Sequence, residues 1–158
     1  MATTTFSGPV VSQAGFITGT GVVGASVTDA TLTLTSANAG SIIPLNLASG
    51  QAVTLPAATG TQSVYTLLIG TTISSNTTTV KVANATDVMN GIANVGAGTG
   101  GVFGTLPASD TITLNGTTTG GIAGSIITIT DIASGIFRVN ASLIGSGTVA
   151  TPFSATVS

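Results

Sequence analysis

The chain is predicted to be all-β: a single compact antiparallel β-sandwich or barrel domain, residues 25–158, preceded by an extended N-terminal arm, residues 1–24. Three observations predict this. Apolar residues recur at every second position in short runs, as in TLTLT (31–35), where Leu32 and Leu34 share one face and the threonines the other. Clusters of Gly, Ser, Asn and Pro separate those runs and supply turns. No stretch of useful length carries the i, i+3, i+4 stripe of an amphipathic helix.

In order along the chain, residues 1–24 are irregular and rich in Ser and Gly. Pro9, which has no backbone donor, sits badly in a central strand there, so an extended arm is the natural reading. The TLTLT strand ends at the turn SANAG. Ile42, Ile43, Leu45 and Leu47 form a second strand, which Pro44 assigns to an edge or a bulge. Val53 and Leu55 alternate with Thr54 in a third. VYTLLIG (64–70) is the most apolar run and is expected to be central. Val80 and Val82 flank Lys81, which puts the ammonium on the wet face. DVMNG (87–91) closes the region with an Asn-Gly pair suited to a type I′ hairpin turn. Periodicity in this first half predicts a β-meander or part of a sandwich.

The glycine-rich run GAGTGG (96–101) is the best candidate for an internal boundary. Beyond it TITL (111–114), SIITIT (125–130) and GIFRV (135–139) read as three more strands. Arg138 is expected at an exposed rim of the last. Alternation does not choose among a jelly roll, another sandwich and a small barrel.

Composition limits the chemistry. A chain of 158 residues can build one real core, typically burying about 70% of the surface its unfolded form exposes. Charged residues make up 4% of the chain, against about 25% in an ordinary soluble domain. Lys81 and Arg138 are the only cations, too few for a stripe that neutralises phosphates, so no nucleic-acid partner is expected. A hydroxyl-rich surface with little charge repels its neighbours weakly and suits standing contact with other subunits. Cysteine is absent, so the fold stands on packing and hydrogen bonds. No basic residue precedes an apolar run at the amino terminus, and nowhere are 18 consecutive residues apolar. The reading is neither a signal peptide nor a membrane span, and no membrane partner.

Candidate chemistry is sparse. GTGVVG (19–24) matches a dinucleotide-binding pattern, but strand and turn residues follow it where that motif needs a helix; no cofactor is expected. Asp29, Asp87, Asp110 and Asp131 are the only carboxylates. Each lies beside a turn or at a strand boundary, where aspartate commonly caps backbone amides. They lack EF-hand spacing, and with no histidine or cysteine neither a zinc site nor a hydrolase triad can be assembled. No catalytic residue and no metal ligand is assigned, and an enzyme is the least favoured class.

The run LTLTSANAGSIIPLNLASGQAVTLPAATG (32–60), continued by YTLLIGTT (65–72) and ATDVMNG (85–91), resembles virion structural proteins of tailed bacteriophages, particularly those of marine and cyanobacterial phages. SDTITLNGTTTGG (109–121) and the segment from Asp131 to Ser158 look like the same group. The resemblance spans most of the chain. It implies a capsid decoration, or cement, protein: a small β-rich domain made in the host cytoplasm and bound to the capsid exterior of the virion, often as a homotrimer. Its implied partner is the major capsid protein, whose subunits it would bridge. A tail fibre or spike module is the alternative, although a fibre shaft would show a strict short repeat. A carbohydrate-binding sandwich would need aromatics to stack on sugar rings, and the chain has no Trp.

Bulky apolar residues outside the regular strands are the expected contacts with capsid or neighbouring subunits: Phe6, Pro9, Val10 and Phe16 in the arm, with Pro152 and Phe153 near the carboxyl end.

Overall fold

A computed structural model describes residues 27–157. The N-terminal arm, the GTGVVG run and the expected contacts Phe6, Pro9, Val10 and Phe16 lie outside the described residues. Eleven strands form two sheets: β1 (Thr31–Thr33), β2 (Ile42–Leu45), β3 (Ala52–Thr54), β4 (Val64–Ile69), β5 (Thr78–Lys81), β6 (Val88–Gly96), β7 (Gly101–Gly104), β8 (Thr111–Leu114), β9 (Ile126–Ala133), β10 (Ile136–Ile144) and β11 (Phe153–Ser154). One sheet has the order β1-β3-β5-β8-β11 and the other β2-β4-β9-β10-β6-β7. They pack face to face as a sandwich and do not close into a barrel. One 3-10 turn, Ser36–Asn38, is the helical element among the described residues.

The sandwich is not uniformly antiparallel, and here the sequence expectation is corrected. From β1 to β6 the chain steps to the opposite sheet at every strand. Through β5 each strand therefore returns beside its predecessor-but-one in the same direction: β1 pairs with β3, β3 with β5 and β2 with β4, all parallel. This half is a coil of roughly two dozen residues per turn, not a meander. A parallel pair needs a long crossover, and the strand of the facing sheet supplies it.

The second half is built of hairpins, β6–β7 and β9–β10. GAGTGG supplies the β6–β7 connection. β10 lies between β9 and β6, antiparallel to the first and parallel to the second over its full length, Ile136 to Ile144.

Alternation fixes what each strand buries. Tyr65, Leu67 and Ile69 point inward from β4, as do Phe137, Val139, Ala141 and Leu143 from β10, all 2% exposed or less. Val53, Val80, Ile112 and Leu114 meet them from the facing sheet. Each of the larger aliphatic and aromatic side chains contributes about 1.5–3 kcal/mol relative to exposure, and together with Ala141 they form one core. Val80 and Val82 are buried while Lys81 is exposed, as expected. Arg138 is exposed too, but on the outer face of an interior strand and not at a rim.

Asn90-Gly91 does not turn the chain; both residues lie within β6. Gly91 points inward opposite Val139 of β10, where a Cβ would run into the Val139 carbonyl. The glycine permits close approach of two backbones. Pro44 occupies the edge strand β2, as predicted. Its carbonyl faces outward and accepts the Val27 N–H at 2.9 Å, while Asn46 N–H donates to the Val27 carbonyl at 2.8 Å. Val27 thus enters the domain as a single parallel bridge on the outer side of β2. Gln51, only 2% exposed, secures this point by donating its Nε2 to the carbonyls of Asp29 (2.7 Å) and Val27 (3.3 Å).

Candidate interaction groove

At the end of the sandwich farthest from Val27, the two sheets finish on β7 and β11, each hydrogen-bonded on one side only among the described residues. Between these edges the core opens into a cavity of about 400 Å³ lined by Val102, Phe103, Gly104, Leu106, Ala108 and Phe153, together with Ser109, Thr151, Ser154 and Ala155. No charged side chain lines it, and its mouth is flanked by Val102 and Leu106, 68% and 75% exposed. Burying large apolar side chains that now stand in water is the favourable change this surface offers a partner.

The first wall follows from local chemistry. Phe103 pairs across the hairpin with Ala93, whose small side chain leaves the ring room to lie toward the groove. After β7, Thr105 fastens the chain to β6: its N–H donates to the Gly91 carbonyl at 3.0 Å and its Oγ1 accepts the Gly91 N–H at 3.0 Å. Leu106 to Ser109 then closes as a turn. Leu106 N–H donates to Ser109 Oγ and Ser109 N–H to the Leu106 carbonyl, both at 2.9 Å. Leu106 is held outward because both ends of its turn are tied.

The second wall is held by Asp110, 2% exposed. Its Oδ1 accepts the Thr156 N–H (2.8 Å) and the Thr111 hydroxyl (2.8 Å), and its Oδ2 accepts the Val157 N–H (3.0 Å). This carboxylate anchors the segment that follows β11. Pro152 is buried and gives its carbonyl to Thr113 N–H at 2.8 Å, so it aligns β11; Phe153 lines the groove itself. Sequence reading singled out these two and missed Val102, Phe103, Leu106 and Ala108. The available signal was three bulky apolar residues within VFGTLP (102–107), between glycine-rich segments.

Two other aspartates have the capping role expected of them. Asp87 accepts from Ala58 N–H and Asn84 Nδ2, each at 2.9 Å. Asp131, on β9, collects the N–H groups of Thr59 (3.1 Å), Gly60 (2.7 Å) and Thr61 (3.1 Å) and the hydroxyls of Thr59 and Thr61. Burial pushes the Asp131 carboxyl up, but the amides of Gly60, Thr59 and Thr61 and the Thr61 hydroxyl outweigh it, holding its pKa below the ordinary carboxylate value. Among the described residues no three metal-ligating side chains gather. Carboxylates committed to backbone amides are structural pins, and the groove is a concave apolar surface open to another molecule. Compared with known proteins, the chain matches no family model, no curated protein and no solved structure.

Proposed function

We infer that the chain is a non-enzymatic virion structural protein that decorates the outer surface of a tailed-phage capsid and bridges neighbouring major capsid subunits as a homotrimer. The observation that carries this reading is the uncharged apolar groove, open between two sheet edges on a domain whose outer faces mix Thr, Ser and Asn with exposed aliphatic side chains such as Ile42, Ile92 and Ile144. Such an end can accept an extended apolar segment by adding a strand to an edge while side chains fill the cavity. Many copies on one shell multiply individually modest contacts. The resemblance of residues 32–91 to phage virion proteins supports the same reading. Immunogold electron microscopy of particles, with antibody against this chain, tests it: label over the whole head is expected, and particles without label would overturn it.

A tail fibre or spike module is the second reading, favoured by one observation. The parallel coil of β1 to β5 stacks successive turns along an axis, which is how elongated fibres extend. Label confined to the tail would put that reading first.

A further inference from the structure

We propose that the groove between β7 and β11 is filled by the N-terminal segment, residues 1–26, of a second copy of this chain, so that copies join head to tail. This goes beyond the virion role and does not depend on it.

Four observations point to this occupant. The segment is long enough: 26 residues precede the first described residue, a reach of at most about 90 Å for a chain of that length. It is chemically matched, since it contains Phe6, Val10, Val11, Phe16 and Ile17 and no charged side chain, and the groove is lined by apolar and uncharged residues. It starts from the right place. Val27 lies outside β2, across six strand spacings from β7, so the point from which the segment departs and the groove are at opposite ends of the sandwich, about 30 Å apart. The path back to its own groove is long. It would cross the whole width of a sheet, over an outer face where Thr66, Thr128 and Asn140 separate the exposed Ile42 and Ile92 in one cross-strand row, or over the other face past Thr54 and Lys81. In a neighbour stacked end to end, departure point and groove face each other.

An interface between two different ends is heterologous, so repetition closes a ring or extends a filament. The free edges of β7 and β11 offer backbone groups to the incoming segment, and Val102, Leu106 and Phe153 offer apolar contacts.

The test uses the full chain, which has no cysteine of its own. One population carries Leu106→Cys; another carries a mass tag and Phe6→Cys, Val10→Cys or Phe16→Cys. Mixed and oxidised, they are expected to give disulfide-linked heterodimers from at least one arm position in clear excess over either homodimer, and adding Val102→Asp to the groove population should abolish that excess. Chains carrying both cysteines that link only internally would show the segment in its own groove and overturn the proposal. So would heterodimers no more frequent than homodimers. Sedimentation of Leu106→Asp gives an independent reading, because the side chain is exposed and its replacement leaves the core intact. Self-association at least about tenfold weaker with an unchanged far-ultraviolet spectrum is expected, and unchanged sedimentation would count against the groove. Both measurements use purified protein without particles, so their failure leaves the virion reading to be judged by labelling.

Discussion

The two halves of the sandwich solve the same problem differently. In the coil, β1, β3 and β5 are three or four residues long, parallel, and separated by long corners. In the hairpin half, β6, β9 and β10 are eight or nine residues long and carry the central ladders of the six-stranded sheet. The coil half depends on side chains at its corners: Gln51 holding Asp29 and Val27, Asp87 holding Ala58, Asp131 holding Thr59 to Thr61. Long ladders satisfy their own backbone, whereas short strands leave corner amides that polar side chains must satisfy. An almost uncharged chain thus uses three of its four carboxylates as internal acceptors.

The comparison can be broken at its strongest point first. Phe137→Ala, near the start of β10, removes the largest buried side chain of the hairpin half and is expected to cost about 3–5 kcal/mol in urea unfolding. Asp131→Ala tests the link between halves, because the carboxylate is on β9 and its donors are on the corner after β3. Orphaning those amides should cost about 2–4 kcal/mol. The same residue has a pH signature. Its folded pKa lies below its value of 3.8 in the unfolded chain, so the stabilisation is complete above that value and is lost as pH falls through the depressed folded pKa. Acid titration of the urea midpoint should show less loss for Asp131→Asn than for the unsubstituted chain. Gln51→Ala frees only the corner at Val27 to Asp29; it is expected to cost about 1–2 kcal/mol and to speed amide exchange in β1 and β2 while leaving β10 protected. Smallest is trypsin. Lys81 and Arg138 lie in β5 and β10, so native protein should resist digestion, and any slow cut should come first at Lys81, in the shorter strand.

Much of this architecture was legible as pattern. Alternation identified the buried faces of β3 and β5, with Val53, Leu55, Val80 and Val82 all inside, Pro44 announced an edge, and isolated aspartates beside turns announced caps. Each of those signals is local. Strand direction is not, because a period of two reads the same in a meander and in a coil. Asn90-Gly91 misled for a related reason: the dipeptide suits a hairpin turn, but only the approach of β10, nearly fifty residues later, reveals that glycine is needed for space. The groove was half legible. Phe153 was noticed for its bulk, yet its partners Val102, Phe103 and Leu106 come from another sheet, and no spacing in the sequence joins them.

The position of β10 also governs when this protein can fold. It lies between β9 and β6, while β4 waits for β9 and β5 for β8. Every strand of the first half that borders the second is therefore incomplete until the last third of the chain has been synthesised. Such late, non-local closure makes folding slow, in the millisecond-to-second range of β-sandwiches, and leaves apolar strand edges bare meanwhile. Kinetic refolding should accordingly give one slow cooperative phase, and ribosome-bound chains ending before β9 should remain protease-sensitive throughout.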